Sequence, residues 1–242
     1  MRLLLAALLS PGAAHYMWMS RAGDDVAITF SESCAAPGIA ALLKVVSNRT
    51  VAHLAVAPDA TATPLSLRLK TLGPNAELTA PLPSTLNTSA AMLEGSAVWG
   101  LFPEMNKTSP PLLQYWFSAH HTTEPNDWSF IDKRTANHLS ITLRADLICT
   151  APGVAKVVAV TKLERQHIGD VEVELFDASG MPTPSVNTST HGVATFEAPS
   201  GKMVYAMIKH LERKPGTDPV SGKAYDVIAN FATASSMIQC YA

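Results

Sequence analysis

The chain has 242 residues, 47% hydrophobic and 16% charged, with a formal net charge of −2 at pH 7. A near-neutral chain without a Lys/Arg cluster carries no electrostatic footprint for nucleic acid or an anionic membrane surface. No window approaches the roughly 20 apolar residues a membrane helix requires, so no membrane span is expected.

Met1-Arg2, the apolar run Leu3 to Leu9 and the small pair Ala13-Ala14 have the order of a signal peptide, expected over residues 1–14. The competing reading is an unprocessed helix ahead of a buried strand. Cleavage after Ala14 predicts a secreted, extracellular protein, periplasmic in a bacterium. Asn48, Asn87, Asn106 and Asn187 stand in Asn-x-Ser/Thr sequons, which points to a glycoprotein of the eukaryotic secretory route. Cys34, Cys149 and Cys240 make an odd count, so one bridge with one thiol left over is expected, the pairing being open.

Short alternating or apolar runs between Pro, Gly, Asn and Ser predict an all-β protein. Val26, Ile28 and Phe30 share a face after the turn Ala22-Gly23-Asp24-Asp25. Leu42 to Val46, Val51 to Val56 and Leu65 to Leu69 read as the next strands. A loop-rich connection is expected from Gly73 to Leu86, which holds three prolines. Ala97 to Phe102 and the aromatic run Leu112 to Ala119 return to strand. A long loop follows over Thr122 to Lys133, and Leu139 to Ile148 closes a first sandwich. Thr150-Ala151-Pro152-Gly153 marks the expected boundary between domains. Beyond it, Val157 to Lys162, Val171 to Phe176, Val193 to Glu197, Met203 to Leu211 and Tyr225 to Ala234 make a smaller set of strands. The expected architecture is two antiparallel β-sandwich domains, immunoglobulin-like or prealbumin-like, over residues 15–150 and 151–242.

Of the eight histidines, His15 is the most informative, because cleavage after Ala14 makes it the first mature residue. Its α-amine and ring Nδ1 then chelate one ion. A further imidazole completes the three-nitrogen histidine brace that suits tetragonal Cu(II). His210 shares the strand face of Val204, Ala206 and Ile208, so it is either a hydrogen-bonded core histidine or a ligand held by packing. Glu212, facing the same way, is its candidate ring partner. His121 follows the face of Leu113, Tyr115 and Phe117, and His120 that of Gln114 and Ser118, so at most one of them meets a given metal. Glu32 is an outer ligand or a solvated turn carboxylate. His53, His138, His167 and His191 read as structural. The dispersed Trp18, Trp99, Trp116 and Trp128 read as sandwich anchors. Cys-x-x-Cys, Gly-x-Ser-x-Gly, His-Glu-x-x-His and a phosphate-cradling glycine loop are all missing from the sequence, which removes support for zinc-ribbon, hydrolase and nucleotide chemistry.

Ala14-His15-x-x-Trp18, Gly23-x-x-Val26 leading to Phe30-Ser31-Glu32, Gly192-Val193-Ala194-Thr195-Phe196 with Pro199-x-Gly201, and His210-x-Glu212 before a Pro-Gly turn and Tyr225 follow one another in order. In that order the chain resembles the exported DUF4198 proteins, which include NikM-like components of nickel and cobalt uptake. The resemblance implies two β domains, the second carboxypeptidase-regulatory-like or collagen-adhesin-like. It also implies a role for His210 before its acidic neighbour. No histidine at 120 or 121 belongs to that pattern.

The expected function is a secreted metal-binding protein holding copper, or nickel or cobalt, through His15, His210 and either His121 or His120. Its expected partners are the transition-metal ion and a membrane metal transporter or extracellular protein. The reading of another class is a structural or adhesive extracellular glycoprotein without catalysis. A copper-dependent oxidative enzyme ranks below both, for want of an aromatic strip to seat a flat substrate.

Overall fold

The computed structural model describes residues 15–57, 61–87, 90–103, 105–106, 108–121, 138–146 and 148–240. The expected signal peptide and the expected loop over 122–133 lie outside these residues. The described chain is mostly strand, as the short alternating runs predict.

β1 (Tyr16–Ala22) and β2 (Asp25–Ser31) form a hairpin paired from Tyr16↔Ser31 to Ala22↔Asp25. Gly23 turns it at φ +64°, a conformation that disfavours any Cβ. With β5 (Arg68–Leu72) and β6 (Asn75–Pro81) they make a first sheet in the order β1-β2-β6-β5. The central sheet has eight strands. It uses β3 (Thr50–Val56), β4 (Thr63–Pro64), β7 (Ala91–Leu101), β8 (Leu112–His121), β12 (Glu172–Asp177), β13 (Val186–Asn187), β15 (Lys202–Thr217) and β16 (Ala224–Ile238). Their order is β13-β12-β15-β16-β8-β7-β3-β4. A third sheet places β10 (Val154–Leu163) between β9 (Ser140–Ala145) and β14 (Val193–Pro199), with β11 (Gln166–His167) on the end of β10.

The layering follows from β16. Residues Ile228 to Ser236 of this strand are all buried, because both faces of the central sheet are covered there. Ala229 and Phe231 belong to a first core with Met17, Ile28, Phe30, Leu93, Tyr115 and Phe117. Ala232, Ala234 and Ile238 belong to a second core with Leu139, Ile141, Val157, Val173 and Ile208. The pleat sends alternate side chains to opposite faces, so one strand serves two cores. Its small residues, Ala229, Ala232, Ala234, Ser235 and Ser236, suit a strand packed from both sides. β16 pairs in parallel with β8, from Ile228↔Leu112 to Ser236↔His120, and antiparallel with β15.

The hydrogen bonding crosses the expected boundary near Thr150 to Gly153 twice. β9, expected to close the first sandwich, pairs with β10 from Ser140↔Lys162 to Ala145↔Val157. β16, expected in the second domain, joins β8 of the first.

Three local expectations are corrected. Leu42 to Val46 lies in a helix, α1 (Ala40–Val46), which buries Leu42, Leu43 and Val46 on one side. Four apolar residues in five satisfy a strand or a helix period equally. The stretch from Gly73 to Leu86, expected as loop, contains β6, whose Ala76, Leu78 and Ala80 are buried at every second position. Pro74 and Pro81 bound that strand instead of interrupting it. The expected strand Leu65 to Leu69 is shifted, and β5 is exposed along its whole length.

Candidate functional site

His15 immediately precedes β1. Because Tyr16 pairs with Ser31, the register carries His15 alongside Glu32, and Nε2 lies 3.7 Å from Glu32 Oε1. The imidazole is buried, meeting the Phe30 ring edge-on at 6.1 Å, whereas Glu32 is exposed. Around it lies an aromatic cluster on the first-core side of the central sheet. Tyr16 meets Phe231 at 5.7 Å, Phe30 meets Tyr115 at 5.0 Å, and Tyr115 stacks on Phe231 at 5.3 Å. Burial, and after it the charge of Glu174, pushes the Tyr16 hydroxyl up to about 12, so it stays protonated at neutral pH.

His210 is on β15, opposite Asn230, while its neighbour Lys209 is opposite Phe231. Lys209 Nζ sits 5.6 Å from the centre of the Phe231 ring, on His15's side of the sheet. Alternation therefore puts His210 on the other side, with Ile208 and Ala206 of the second core. The shared face with Val204, Ala206 and Ile208 is as the sequence reading has it. The meeting with His15 is not found: a β-sheet stands between the two rings, and metal–imidazole bonds of about 2 Å do not bridge that thickness. Glu212 takes a hydrogen bond from Asn230 Nδ2 at 3.4 Å and lies 3.4 Å from Lys214 Nζ.

His120 and His121 end β8, opposite Met92 and Ala91. Thr233, the Cα partner of Phe117, donates through its hydroxyl to the Met17 carbonyl, and Ser235, the partner of Ala119, donates to Met19. β1 thus runs along β16 in the same direction, and His15 is level with Tyr115. His121 is six residues further along β8, about 20 Å away at the usual rise per residue. The structure brings His15 to Glu32 but assembles no site from His15, His210, His121 and His120. Among the described residues, no group of three or more His, Cys, Asp or Glu is placed to hold a metal ion. The three-nitrogen brace does not fit this arrangement, because the register places His210 across the central sheet from His15 and His121 about 20 Å further along β8.

Trp116, His138 and Glu212 join Asn230, Lys214 and Glu164 in a chain of contacts on the second-core face. His138 stacks on Trp116 at 4.1 Å with 9° between ring planes. Trp116 Nε1 donates to Asn230 Oδ1 at 3.0 Å, Asn230 donates to Glu212, and Lys214 bridges Glu212 and Glu164. Burial lowers the His138 pKa to about 4. Nothing in the sequence announces this stack, since 22 positions separate the partners.

Cys149 and Cys240 form the disulfide, with Cα atoms 5.2 Å apart, and Cys34 is left as the thiol. Cys34 Sγ donates to the Asp177 carbonyl at 3.4 Å, and burial is the main cause raising its pKa to about 11. Such a thiol is a poor nucleophile and a poor metal ligand at neutral pH. Of the sequon asparagines, Asn48, Asn106 and Asn187 are exposed.

No family model matches the chain, and no curated protein matches it. Among solved structures, it is similar to a chimeric titin Z1Z2-Z1Z2 tandem functionalised with a GRGDS peptide from fibronectin. The identity is 12% over 95% of this chain and 98% of that one, with a TM-score of 0.22. It is also similar to the Bacillus anthracis TIE protein, at 10% identity over 99% of this chain and 60% of that one, with a TM-score of 0.18.

Proposed function

We propose that the chain is a non-enzymatic extracellular glycoprotein, whose β-sandwich layers of immunoglobulin-like or prealbumin-like type present surfaces to a protein or glycan partner. The observation that carries the reading is the Cys149–Cys240 disulfide. Disulfides persist in oxidising compartments, and this one ties the end of β16 to the connection between β9 and β10. The exposure of Asn48, Asn106 and Asn187 supports glycans on the same surface. The test is expression of the full chain in eukaryotic secretory cells. The expected result is protein in the medium, a glycosidase-sensitive mass, Cys149 joined to Cys240 in a non-reducing peptide map, and saturable binding to an immobilised glycan or matrix protein. Protein retained in cells with three reduced thiols overturns the reading.

A second reading is favoured by the His15–Glu32 approach of 3.7 Å. In a chain cut after Ala14, the α-amine and Nδ1 chelate Cu(II), with nickel or cobalt as alternatives, while Glu32 faces Nε2 and orients the ring as carboxylates do for metal-bound histidines. This smaller donor set keeps the metal-handling role, the transporter partner and the DUF4198 resemblance without His210, His121 or His120. N-terminal sequencing followed by copper titration tests it. A one-residue extension before His15 removes only the amine, and unchanged copper affinity in that variant sinks the second reading alone.

A further inference from the structure

The central sheet is wider than the sheet packed on it. β1 is the outermost strand of the first sheet and lies along β16, so β15, β12 and β13 continue past that cover. On this floor, the face turned toward β1 carries Lys209 on β15, Glu172 and Glu174 on β12, and Asn187 on β13. Lys209, Glu172 and Asn187 are exposed and Glu174 is half-buried. The edge of β1 makes a wall of rings. Tyr16 meets Phe231 at 5.7 Å, and Trp18 meets Phe176 at 5.5 Å and Tyr205 at 6.1 Å. The Tyr16 side of this wall is partly exposed.

The polar groups of the floor are under-used by the protein itself. Lys209 Nζ turns to the Phe231 ring, 5.6 Å from its centre, and Glu172 accepts from the Ser185 hydroxyl at 2.6 Å. Burial, and after it the charge of Glu172, raises the Glu174 pKa, and no hydrogen bond from a described residue offsets the shift. Uncharged hydroxyl or amide N–H donors would stabilise such a carboxylate. Asn187 stands at the open end of the same row. It is the Cα partner of Glu172, which lies next to Lys209, and Lys209 is the partner of Phe231. Three strand spacings, about 14 Å, separate Asn187 from Phe231 and the Tyr16 ring upon it. Asn187 also opens the sequon Asn187-Thr188-Ser189.

We propose that the glycan on Asn187 folds back across this floor as a built-in ligand, its sugars lying over Glu174 and Lys209 and a ring face stacking on Tyr16. A sugar has an apolar ring face bordered by hydroxyl and acetamido groups that both donate and accept. That combination suits an aromatic wall standing beside carboxylates and an ammonium group. In the other direction β13 is the outermost strand, so the sheet offers the glycan no surface there. This assignment rests on the glycoprotein reading and adds to it a seat on the protein for one particular glycan.

The test uses the full chain secreted from eukaryotic cells. Glycopeptide mapping is expected to show Asn187 occupied. Peptide N-glycosidase is expected to release that glycan several-fold more slowly from the native wild type than from native Tyr16→Ala, with Tyr16→Phe, which keeps the ring, behaving as wild type. Because Tyr16→Ala can disturb the β1–β2 hairpin, the contact is also read in the unaltered protein, as nuclear Overhauser effects between the glycan and the Tyr16 ring protons. A chain glycosylated at Asn48 or Asn106 but bare at Asn187 overturns the proposal and leaves the glycoprotein reading standing, whereas a chain bare at every sequon overturns both. An occupied Asn187 without those Overhauser effects, or a release rate unchanged in Tyr16→Ala, overturns the proposal alone.

Discussion

The Ser235 hydroxyl donates to the Met19 carbonyl at 2.7 Å, joining residues 216 positions apart. Thr233 does the same for Met17. These hydroxyls alternate along β16 with Ala232 and Ala234, which face the second core, so they reach toward the first sheet. The free edge of β1 is therefore held to the central sheet by side chains, with no ladder between the two strands. Removing either hydroxyl leaves a buried carbonyl without that partner, and Ser235→Ala and Thr233→Val are each expected to cost about 1–3 kcal/mol. Urea unfolding measures this; an unshifted midpoint in both variants contradicts it.

The disulfide closes a separation of 91 residues. In the chain-entropy description, a loop of that length is worth about 4–5 kcal/mol through restriction of the unfolded chain. The double variant Cys149→Ser, Cys240→Ser is expected to lose most of that. The same loss should follow reduction of the wild type, since Cys34 takes no part in the bridge.

His138 supplies a pH dependence. Burial against Trp116 lowers its pKa from 6.5 to about 4. Between these values the unfolded chain holds a proton that the folded chain does not, so stability is full above pH 6.5 and falls as the pH drops toward 4. The loss from this residue is at most about 3 kcal/mol. His138→Phe keeps the stack and is expected to flatten stability against pH across this window. A wild-type slope retained by the variant assigns the dependence elsewhere.

Gly95 faces Phe117 across the β7–β8 pair. A Cβ there would stand 2.2 Å from Phe117 Cε2 and 2.6 Å from the Val51 carbonyl oxygen. Neither the buried ring nor the neighbouring backbone has room to move aside, so Gly95→Ala is expected to destabilise by about 1–3 kcal/mol. Thermal denaturation reads it directly, and a variant as stable as wild type shows that the ring swings away.

Period-two alternation made the strands of the second half legible, from Val157 to Lys162 through Tyr225 to Ala234. It also assigned His120 and His121 to opposite faces and His210 to the face of Ile208. Alternation does not encode which strands become neighbours. The insertion of β16 beside β8 depends on a pairing made far apart in the chain, and the capture of β9 by β10 on one that crosses the expected boundary. That is why Leu139 to Ile148 was expected to close the wrong layer, and why His15 and His210 were expected to share a site that the central sheet divides. α1 escaped notice because two turns of helix offer too few residues to separate a period of 3.6 from one of 2.

The position of β16 between β15 and β8 has a consequence for biosynthesis. Until residues 224–238 have left the ribosome, β8 has one partner, β7, and its other edge presents unpaired backbone beside Tyr115, Trp116 and Phe117. An apolar strand edge of this kind pairs readily with other chains. The nascent protein therefore passes the synthesis of residues 122–223 with a sticky seam open, and the last described strand to emerge is the one that seals it. Ribosome-stalled chains ending before Ala224 are expected to recruit chaperones and to aggregate when released, whereas chains reaching Ile238 are expected to be released in soluble form.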